Sequence, residues 1–398
     1  MKYKSKKRST PISTMRRARA FNLYLIILSA VPLLSMDLYL PSLPQIANYY
    51  NTTYNMANLT MVAFTFTMAI CALFWGPISD KYGRKPIVIC GTILYLSGAL
   101  LCALAPSIQL LIVFRILQAL GSSSATVIVP AIIRDIYDVG QQEKILSLVF
   151  GLTLLWPAVA PSIGAFILIV FDWRGIFIAM AFMGAVLLVG IIPVKETLKK
   201  PLTVSVWKTF PRLLTLLSNK RFAALIIIFA LPSIPLMAYI TASSYIYQIR
   251  FGLSEQEFGL FFAASALAMM AGSFAYYKTS RGLGRTPVAY LSFTAVLAGG
   301  IGVLLVGGIS PWVLVALMAF VAFFTSLGGP LRVFLALNNQ AGDTGSASSL
   351  QNAISTLFMC AGISSLALFN DYLTGVGILL TIFGIASVSL FAIVFKKV

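Results

Sequence analysis

Long apolar blocks, separated by short polar or Pro/Gly-rich breaks, make up most of this chain. The blocks run for about 20 residues, the length of a helix that crosses the roughly 30 Å hydrocarbon layer of a membrane. Strands of a transmembrane barrel would instead alternate with a period of two. The pattern therefore predicts twelve transmembrane helices. The predicted spans are residues 21–43, 57–79, 86–105, 108–133, 145–169, 173–194, 222–246, 256–278, 286–308, 311–336, 343–370 and 373–395.

Composition supports an all-α integral membrane protein. The chain is 59% hydrophobic and only 10% charged, whereas soluble globular proteins are about 25% charged. It contains no histidine, and its four cysteines fall inside apolar blocks without a C-x-x-C pair. A zinc site of the usual type, a Ser-His-Asp triad and a histidine proton shuttle are therefore excluded. We predict no metal and no cofactor.

The placement of the 29 Lys and Arg residues explains the net charge of +18. Eight precede residue 20, seven lie between Lys195 and Arg221, and most others fall in alternate gaps between apolar blocks. This is the positive-inside bias of membrane proteins. Anionic lipid also attracts a basic tail, so the charge requires no nucleic-acid partner. An even number of spans puts both termini on the same side of the membrane, and the basic tail indicates that this side is the cytoplasm. We therefore predict that both termini are cytoplasmic.

Two matches at one spacing suggest an internal repeat. Gly83 and Gly284 each precede an arginine after a predicted span, 201 residues apart, and Pro130 and Pro330 are 200 residues apart. A parallel repeat is expected of transporters whose halves rock about a central site. The predicted units are a cytoplasmic tail (1–20), a six-helix half (21–194), a basic linker (195–221) and a second six-helix half (222–395).

Two opposite charges lie inside predicted spans, where a charge costs about 2.5–3.5 kcal/mol. Asp37 in the first span and Arg115 in the fourth both lie about 10 Å from the outer helix end. We predict that they face each other across a cavity and that Asp37 carries a proton; a static ion pair or a backbone-capping Asp37 is the alternative. Gln118, one turn from Arg115, can hydrogen-bond Asp37 in either protonation state or serve only in helix packing.

Aromatic side chains are predicted to line the substrate cavity: Tyr39, Trp156 and Tyr239. The second half contributes aromatic rings but no buried charge, which suits lipophilic or cationic ligands. Tyr245 and Tyr247 are interpreted as anchors at the membrane surface, the more common role.

A tight turn follows the second span and contains Gly76, Asp80, Gly83 and Arg84. Gly83 permits the turn, and Asp80 can pair with Arg84 or cap the next helix. We predict that this turn gates the cytoplasmic side; a solvated charge cluster is the alternative.

The fifth span contains Pro157, Pro161 and Gly164. Two prolines remove two backbone donors and should bend the helix, while small residues allow a neighbour to approach closely. A sliding interface and a merely tolerated irregularity both fit this pattern.

Four motifs resemble the major facilitator superfamily, specifically its twelve-helix drug/proton antiporters and the bicyclomycin/chloramphenicol-resistance (Bcr/CflA-like) branch. They are Asp37-Leu-Tyr-Leu-Pro41-Ser-Leu-Pro44, the turn from Gly76 to Pro86, Arg115-Ile-Leu-Gln118-Ala-Leu-Gly121, and Ala160-Pro161-Ser-Ile-Gly164-Ala165. The chain departs from the family where Ala119, Ala160 and Ala165 replace glycines and where Trp156 replaces a small residue.

The resemblance implies proton-driven export, with Asp37 as the coupling carboxylate, Arg115 and Gln118 as its partners, and the Asp80/Arg84 turn as a gate. We expect a monomer in the bacterial cytoplasmic (inner) membrane that exchanges protons for small lipophilic or cationic compounds, including antibiotics, by alternating access. The alternative is transport of one metabolite, such as an amino acid or a siderophore-like compound, on the same fold. An enzyme is disfavoured because no histidine, paired acid or metal set is present, and a channel would not need a partnered buried carboxylate.

Overall fold

The structure, a computed structural model, describes residues 15–138, 141–142, 145, 149, 152, 155–198, 217–329, 331 and 344–396. Regular structure within these residues is helical throughout. The α-helices are α1 (Met15–Asp37), α2 (Leu43–Tyr49), α3 (Tyr54–Tyr82), α4 (Arg84–Ala103), α5 (Ile108–Ile136), α6 (Trp156–Val170), α7 (Trp173–Ile191), α8 (Lys220–Ala230), α9 (Ser233–Tyr245), α10 (Glu255–Leu283), α11 (Arg285–Val306), α12 (Pro311–Leu327), α13 (Thr344–Ser365) and α14 (Tyr372–Lys396). Short 3-10 segments cover Leu40–Ser42 and Leu366–Leu368, and a π-helix covers Ile246–Arg250.

Ten helical segments of the described chain are long and apolar enough to cross a membrane, and α6 and α12 are shorter apolar helices. The first of these segments, Ala20–Tyr49, combines α1 and α2, and the sixth, Phe222–Arg250, combines α8, α9 and the π-helix. The described part of every predicted span overlaps one of these helical segments, so the all-α membrane fold is confirmed. Residues 1–14, most of the predicted linker and Pro330 lie outside the described residues.

Glycines at equivalent places in the two halves adopt the same backbone conformation. Gly83 between α3 and α4 has a φ of 102°, and Gly284 between α10 and α11 has a φ of 87°. Side chains other than hydrogen are strained at such positive φ values, so glycine is the residue that fits both turns. The matching turns support a duplicated six-helix unit, while the exact unit boundaries stay a prediction.

Basic side chains gather at one end of the bundle, which we call the basic end. Arg174 and Arg250 are the basic side chains that the described residues place at the other end, which we call the opposite end. The described basic end carries Lys81, Arg84, Lys85, Arg134, Lys195, Lys220, Lys278, Arg281 and Arg285. This clustering matches the bias that the positive-inside rule expects for one side of a membrane.

Glycines bring α4 and α5 into backbone contact. A Cβ at Gly98 would overlap the backbone of Gln118, and a Cβ at Gly121 would overlap the backbone of Gly91 and Tyr95. Small residues of this kind let membrane helices pack closely without a hydrophobic driving force. The contact fixes the rotation of α5 and thereby the directions in which its polar side chains point.

The two halves meet along a seam in which α3 packs on α13, α6 on α10, and α2 on α9. Hydrogen bonds cross the seam near the opposite end. Their donors and acceptors are Tyr372 Oη to Asn55 Oδ1 (2.8 Å), Gln248 Nε2 to the Pro41 carbonyl (3.1 Å), Gln256 Nε2 to the Ala165 carbonyl (3.3 Å) and Cys360 Sγ to the Val62 carbonyl (3.7 Å). These bonds hold the halves together at that end.

Candidate functional site

Asp37 is the last residue of α1 and lies at a break in the first membrane-spanning segment. Pro41 in the following 3-10 turn and Pro44 at the start of α2 lack backbone N–H groups, so the α-helix cannot continue through them unbroken. The Asp37 side chain is buried, and its Oδ2 atom has no hydrogen-bond partner in the described part of the chain. A buried polar atom without a partner is costly and requires an explanation.

Arg115 is fully buried beside the same segment of α1. Its Nη1 and Nη2 atoms both lie 3.2 Å from the Ser35 carbonyl oxygen, and Nη1 donates to Gln118 Oε1 at 2.8 Å. Its guanidinium also lies over the rings of Phe64 (4.1 Å) and Tyr39 (4.6 Å). Arg115 therefore lies at the level of Asp37, but the described ion pairs do not include one between them, so the alternative of a static ion pair is not seen in this structure.

Helix geometry explains why Asp37 does not face Arg115 as predicted. Residues two positions apart in a helix point to roughly opposite sides. Ser35 faces α4 and α5, since its hydroxyl donates to the Tyr95 hydroxyl and its carbonyl accepts from Arg115. Asp37 consequently faces away from Arg115, and depth along the sequence could not reveal this rotation.

Gln118 and Tyr39 also differ from their predicted roles. Gln118 bonds Arg115 through its amide oxygen and Met180 Sδ through its amide nitrogen (3.3 Å), so it does not reach Asp37. Tyr39 is fully buried, and its hydroxyl lies 2.9 Å from Thr60 Oγ1. Its ring belongs to the aromatic surroundings of Arg115 inside the first half, so its predicted place in the cavity lining is wrong for this conformation.

Trp156 and Tyr239 have different environments. Trp156 is half-buried at the start of α6, and its indole N–H has no partner among the residues that are described. Tyr239 is buried, with its hydroxyl 3.4 Å from the Tyr247 hydroxyl on the same segment. The predicted exposure of Tyr239 to a cavity is not seen here, and the Trp156 indole N–H is buried as well.

The two prolines of α6 occupy different positions in the helix. Pro157 lies in the first turn, where a missing N–H costs little, so it starts the helix rather than bending it as predicted. Pro161 lies inside the helix. Gly164 packs against the Leu38 carbonyl, where an added Cβ would clash. The predicted close approach is therefore real, and the neighbour is the segment that follows Asp37.

Sequence reasoning missed a polar stripe on α3. Asn58 and Thr65 are buried, and no described residue hydrogen-bonds the Asn58 amide or the Thr65 hydroxyl. They share a helix face with Asn55 and Val62, whose polar atoms bond α14 and α13 across the seam. The regular three- and four-residue spacing was the signal available in the sequence. The stripe places unpartnered polar groups between the halves.

The turn at the basic end forms a compact charge network around Arg84, which is buried. Its guanidinium pairs with Asp80 at 2.5 Å, as predicted, and with Asp135 at 2.9 Å. Asp135 comes from the end of α5, and its part in the network was not predicted. Arg84 thus ties the ends of α3 and α5 together, and Gly76 packs beside Val127 on α5.

Glu196, also missed from the sequence, caps the start of α4. Its carboxylate accepts hydrogen bonds from the backbone N–H groups of Arg84 and Lys85, both at 3.0 Å. Burial raises the pKa of Glu196, but these bonds and those from the Leu198 and Thr197 N–H groups outweigh it, so the pKa lies below the ordinary 4.5. The segment after α7 is thereby anchored to the Gly83 turn.

Glu196→Gln is expected to destabilise the protein by about 1 kcal/mol, because a neutral amide is a poorer cap for a helix N-terminus. The lowered pKa means that Glu196 stabilises the fold above pH 4.5 and that this contribution is lost as the pH falls through the lowered value. Thermal unfolding of both proteins at neutral and acidic pH measures the difference, which should shrink on acidification. Glu255→Gln, at the start of α10, is the matched control; an equal effect there would contradict the anchor.

Comparison with known proteins shows clear relatives. The family model described as Major Facilitator Superfamily matches residues 25–363. The chain is similar to the uncharacterized MFS-type transporter YdgK of Bacillus subtilis (strain 168), with 32% identity over 270 residues, covering 66% of each chain. It is also similar to the bicyclomycin resistance protein homolog of Haemophilus influenzae, with 32% identity over 64% of this chain and 65% of that protein.

A third relative is the multidrug resistance protein MdtL of Escherichia coli O9:H4 (strain HS), with 31% identity over 60% of this chain and 61% of that protein. The chain thus spans 61–66% of the length of these curated relatives. Among solved structures it resembles a D-xylose-proton symporter (TM-score 0.71, 15% identity, 95% and 97% coverage) and the peptide transporter POT with sulfate (0.76, 15%, 98% and 96%). At this identity the structural likeness shows the fold.

Proposed function

The chain belongs to the Major Facilitator Superfamily, and from this membership we propose that it is a transporter rather than an enzyme. Its proposed activity is the export of small lipophilic or cationic compounds, antibiotics among them, in exchange for protons. The relatives named for bicyclomycin and multidrug resistance support this substrate class. The proposed location is the bacterial cytoplasmic membrane, with both termini in the cytoplasm and the monomer as the working unit.

The observation that carries the proposal is the environment of Asp37. The other described acids lie within a few residues of an end of a membrane-spanning segment or in a loop, whereas Asp37 lies inside the segment Ala20–Tyr49. Its carboxylate is buried and has an oxygen atom that no described group satisfies. A carboxylate at this depth is the minimum requirement for binding a proton and releasing it again.

Arg115 supports this role by position rather than by direct pairing. Its Nη1 and Nη2 atoms donate to the Ser35 carbonyl, and its guanidinium packs on aromatic rings rather than against a carboxylate. Because Asp37 forms no close ion pair with Arg115, its carboxylate can bind and release a proton. We assign Arg115 and Gln118 to the support of the α1 segment that contains Asp37.

The contacts between the two halves support alternating access. The hydrogen bonds described across the seam lie near the opposite end, which supports a state closed there. The network of Arg84, Asp80 and Asp135 lies at the basic end and involves residues of the first half. We propose that this network gates the basic end and that rocking of the halves breaks the opposite-end contacts.

A growth screen tests the proposed function. A bacterial strain that overproduces the protein should tolerate higher concentrations of several lipophilic antibiotics, and a protonophore should abolish their efflux from loaded cells. Asp172→Asn, a change at the exposed opposite end, serves as the matched control for Asp37→Asn in the same screen. Efflux that persists after collapse of the proton gradient would contradict proton coupling, and a response to one metabolite alone would favour the specific transporter over the multidrug exporter.

A further inference from the structure

A pocket of about 290 Å³ lies in the seam at the opposite end, and we call it the seam pocket. The first half contributes Tyr54 and Asn55, and the second half contributes Tyr245, Arg250 and Tyr372. It is separate from the Asp37 site, whose residues do not line it. Because both halves form its lining, the pocket exists in this shape only while the opposite end is closed.

Three tyrosine rings give the seam pocket an aromatic lining. Tyr245 packs between Tyr54, at a centroid distance of 4.6 Å, and Tyr372, at 5.5 Å. The Tyr372 hydroxyl donates to Asn55 Oδ1 and so fixes its ring against the first half. Aromatic edges and faces held in this way favour another ring as their neighbour.

The hydroxyl of Tyr245 has no partner among the described residues, although the side chain is only 3% exposed. A buried hydroxyl without a hydrogen bond costs about 1–3 kcal/mol. Tyr372, on one side of it, donates its own hydroxyl to Asn55 Oδ1, and Tyr54, on the other side, is half-buried. Tyr245 lines the seam pocket, and an acceptor that entered between the three rings would satisfy this donor.

The backbone next to Tyr245 is also unusual. The π-helix Ile246–Arg250 follows it directly, and Ile246, Ile249 and Arg250 line the seam pocket. Segments of π-helix are rare and occur frequently at functional sites. Gln248 of the same segment donates across the seam to the Pro41 carbonyl, so the π-helix is held in place from the first half.

Charge at the pocket favours a neutral ligand. Arg250 Nη1 lies 2.7 Å from Asp371 Oδ1, and both side chains are 45% exposed. The ion pair cancels its own charge, and the remaining polar groups of the lining, from Tyr, Asn and Thr, are uncharged. A charged ligand would therefore lose its hydration without finding an unpaired counter-charge.

We propose that the seam pocket binds a small neutral molecule that combines one aromatic ring with a hydrogen-bond acceptor. The ring packs among the three tyrosines, and the acceptor takes the Tyr245 O–H. Such a ligand touches both halves and stabilises the state in which the opposite end is closed. Binding itself is independent of the proposed transport activity. Only its consequence, slower turnover, rests on that activity.

Saturation-transfer NMR on the purified full-length chain in detergent tests the proposal, with benzamide as the probe. Benzamide has one ring and a carbonyl acceptor, and a ligand of this size should bind with a Kd on the order of 1 mM. Cyclohexanecarboxamide keeps the amide but lacks the aromatic ring, and it should bind about fivefold more weakly. Absence of saturable benzamide binding, or equal binding of both probes, would overturn the proposal.

Tyr245→Phe removes the hydroxyl and keeps the ring. Benzamide should bind this variant about fivefold more weakly, because a neutral hydrogen bond contributes about 0.5–1.5 kcal/mol. The unfolding temperature should stay the same or rise, since an unpartnered buried hydroxyl is gone. If Tyr245 had only a structural role, the substitution would not weaken benzamide binding while leaving the unfolding temperature unchanged or higher.

Tyr50→Phe is the matched control at the same end of the protein. Its hydroxyl donates to the Ala105 carbonyl at 2.7 Å, outside the seam pocket. Benzamide affinity should be unchanged in this variant, and Ile249→Trp, which fills the pocket, should abolish binding. Wild-type affinity in Tyr245→Phe, or equal losses in Tyr245→Phe and Tyr50→Phe, would refute the assigned site.

Discussion

Proteoliposomes that contain Asp37→Asn are expected to lose uphill transport completely and to retain solute exchange down a concentration gradient. Asn has the shape of Asp but cannot bind and release a proton. A membrane potential of 100 mV supplies about 2.3 kcal/mol per charge, which supports about 50-fold accumulation of a neutral solute that is exchanged for one proton. Without a titratable group at position 37, this ratio should fall to one.

Controls separate lost coupling from lost folding in this experiment. Asp172→Asn removes the same charge at the opposite end, where Asp172 caps α7 and pairs with Arg174, and it should preserve uphill transport. Downhill exchange by Asp37→Asn reports that the variant is folded and inserted. Uphill accumulation by Asp37→Asn at the wild-type level would remove Asp37 from the coupling mechanism.

Arg115→Ala is expected to lower the free energy of unfolding by about 3 kcal/mol. The substitution empties a fully buried volume between Phe64 and Tyr39 and leaves the Ser35 carbonyl and Gln118 Oε1 without their donor. Large-to-small changes in a core cost about 2–5 kcal/mol. Thermal unfolding in detergent, followed by helical circular dichroism, measures the loss.

Arg115→Met distinguishes packing from charge in the same assay. Methionine fills much of the volume and brings no buried charge, and replacing buried charges by apolar groups of similar size is often neutral for stability. We expect near wild-type stability but reduced transport, because the α1 segment beside Asp37 loses its tether. Wild-type stability in Arg115→Ala would show that the buried cation is not a structural support.

Much of the fold followed from hydropathy, because a membrane span needs a long apolar helix whatever its neighbours are. The turns at Gly83 and Gly284 were equally local, since a positive φ is a property of one residue. The Asp80–Arg84 pair was predictable for the same reason, as its partners are four residues apart.

The arrangement of the site depended on rotations of separate helices, which hydropathy does not encode. The matched depths of Asp37 and Arg115 in their spans correctly predicted that they lie at the same level. The rotation of α1 about its axis, which the sequence does not encode, places Ser35 rather than Asp37 next to Arg115. Tyr245 was interpreted as a surface anchor, whereas pairing of the two halves places it between Tyr54 and Tyr372. Glu196 was missed because its partners lie more than a hundred residues away.

Infrared difference spectroscopy of the carboxyl group of Asp37 tests the central claim most directly, because it requires no known substrate. The reconstituted protein would be cycled between acidic and alkaline buffers, and its spectra compared with those of Asp37→Asn. The account predicts a carbonyl stretch of a protonated carboxylic acid that appears and disappears reversibly with pH in the wild type and is absent from the variant. A difference spectrum that is identical in the two proteins would contradict it.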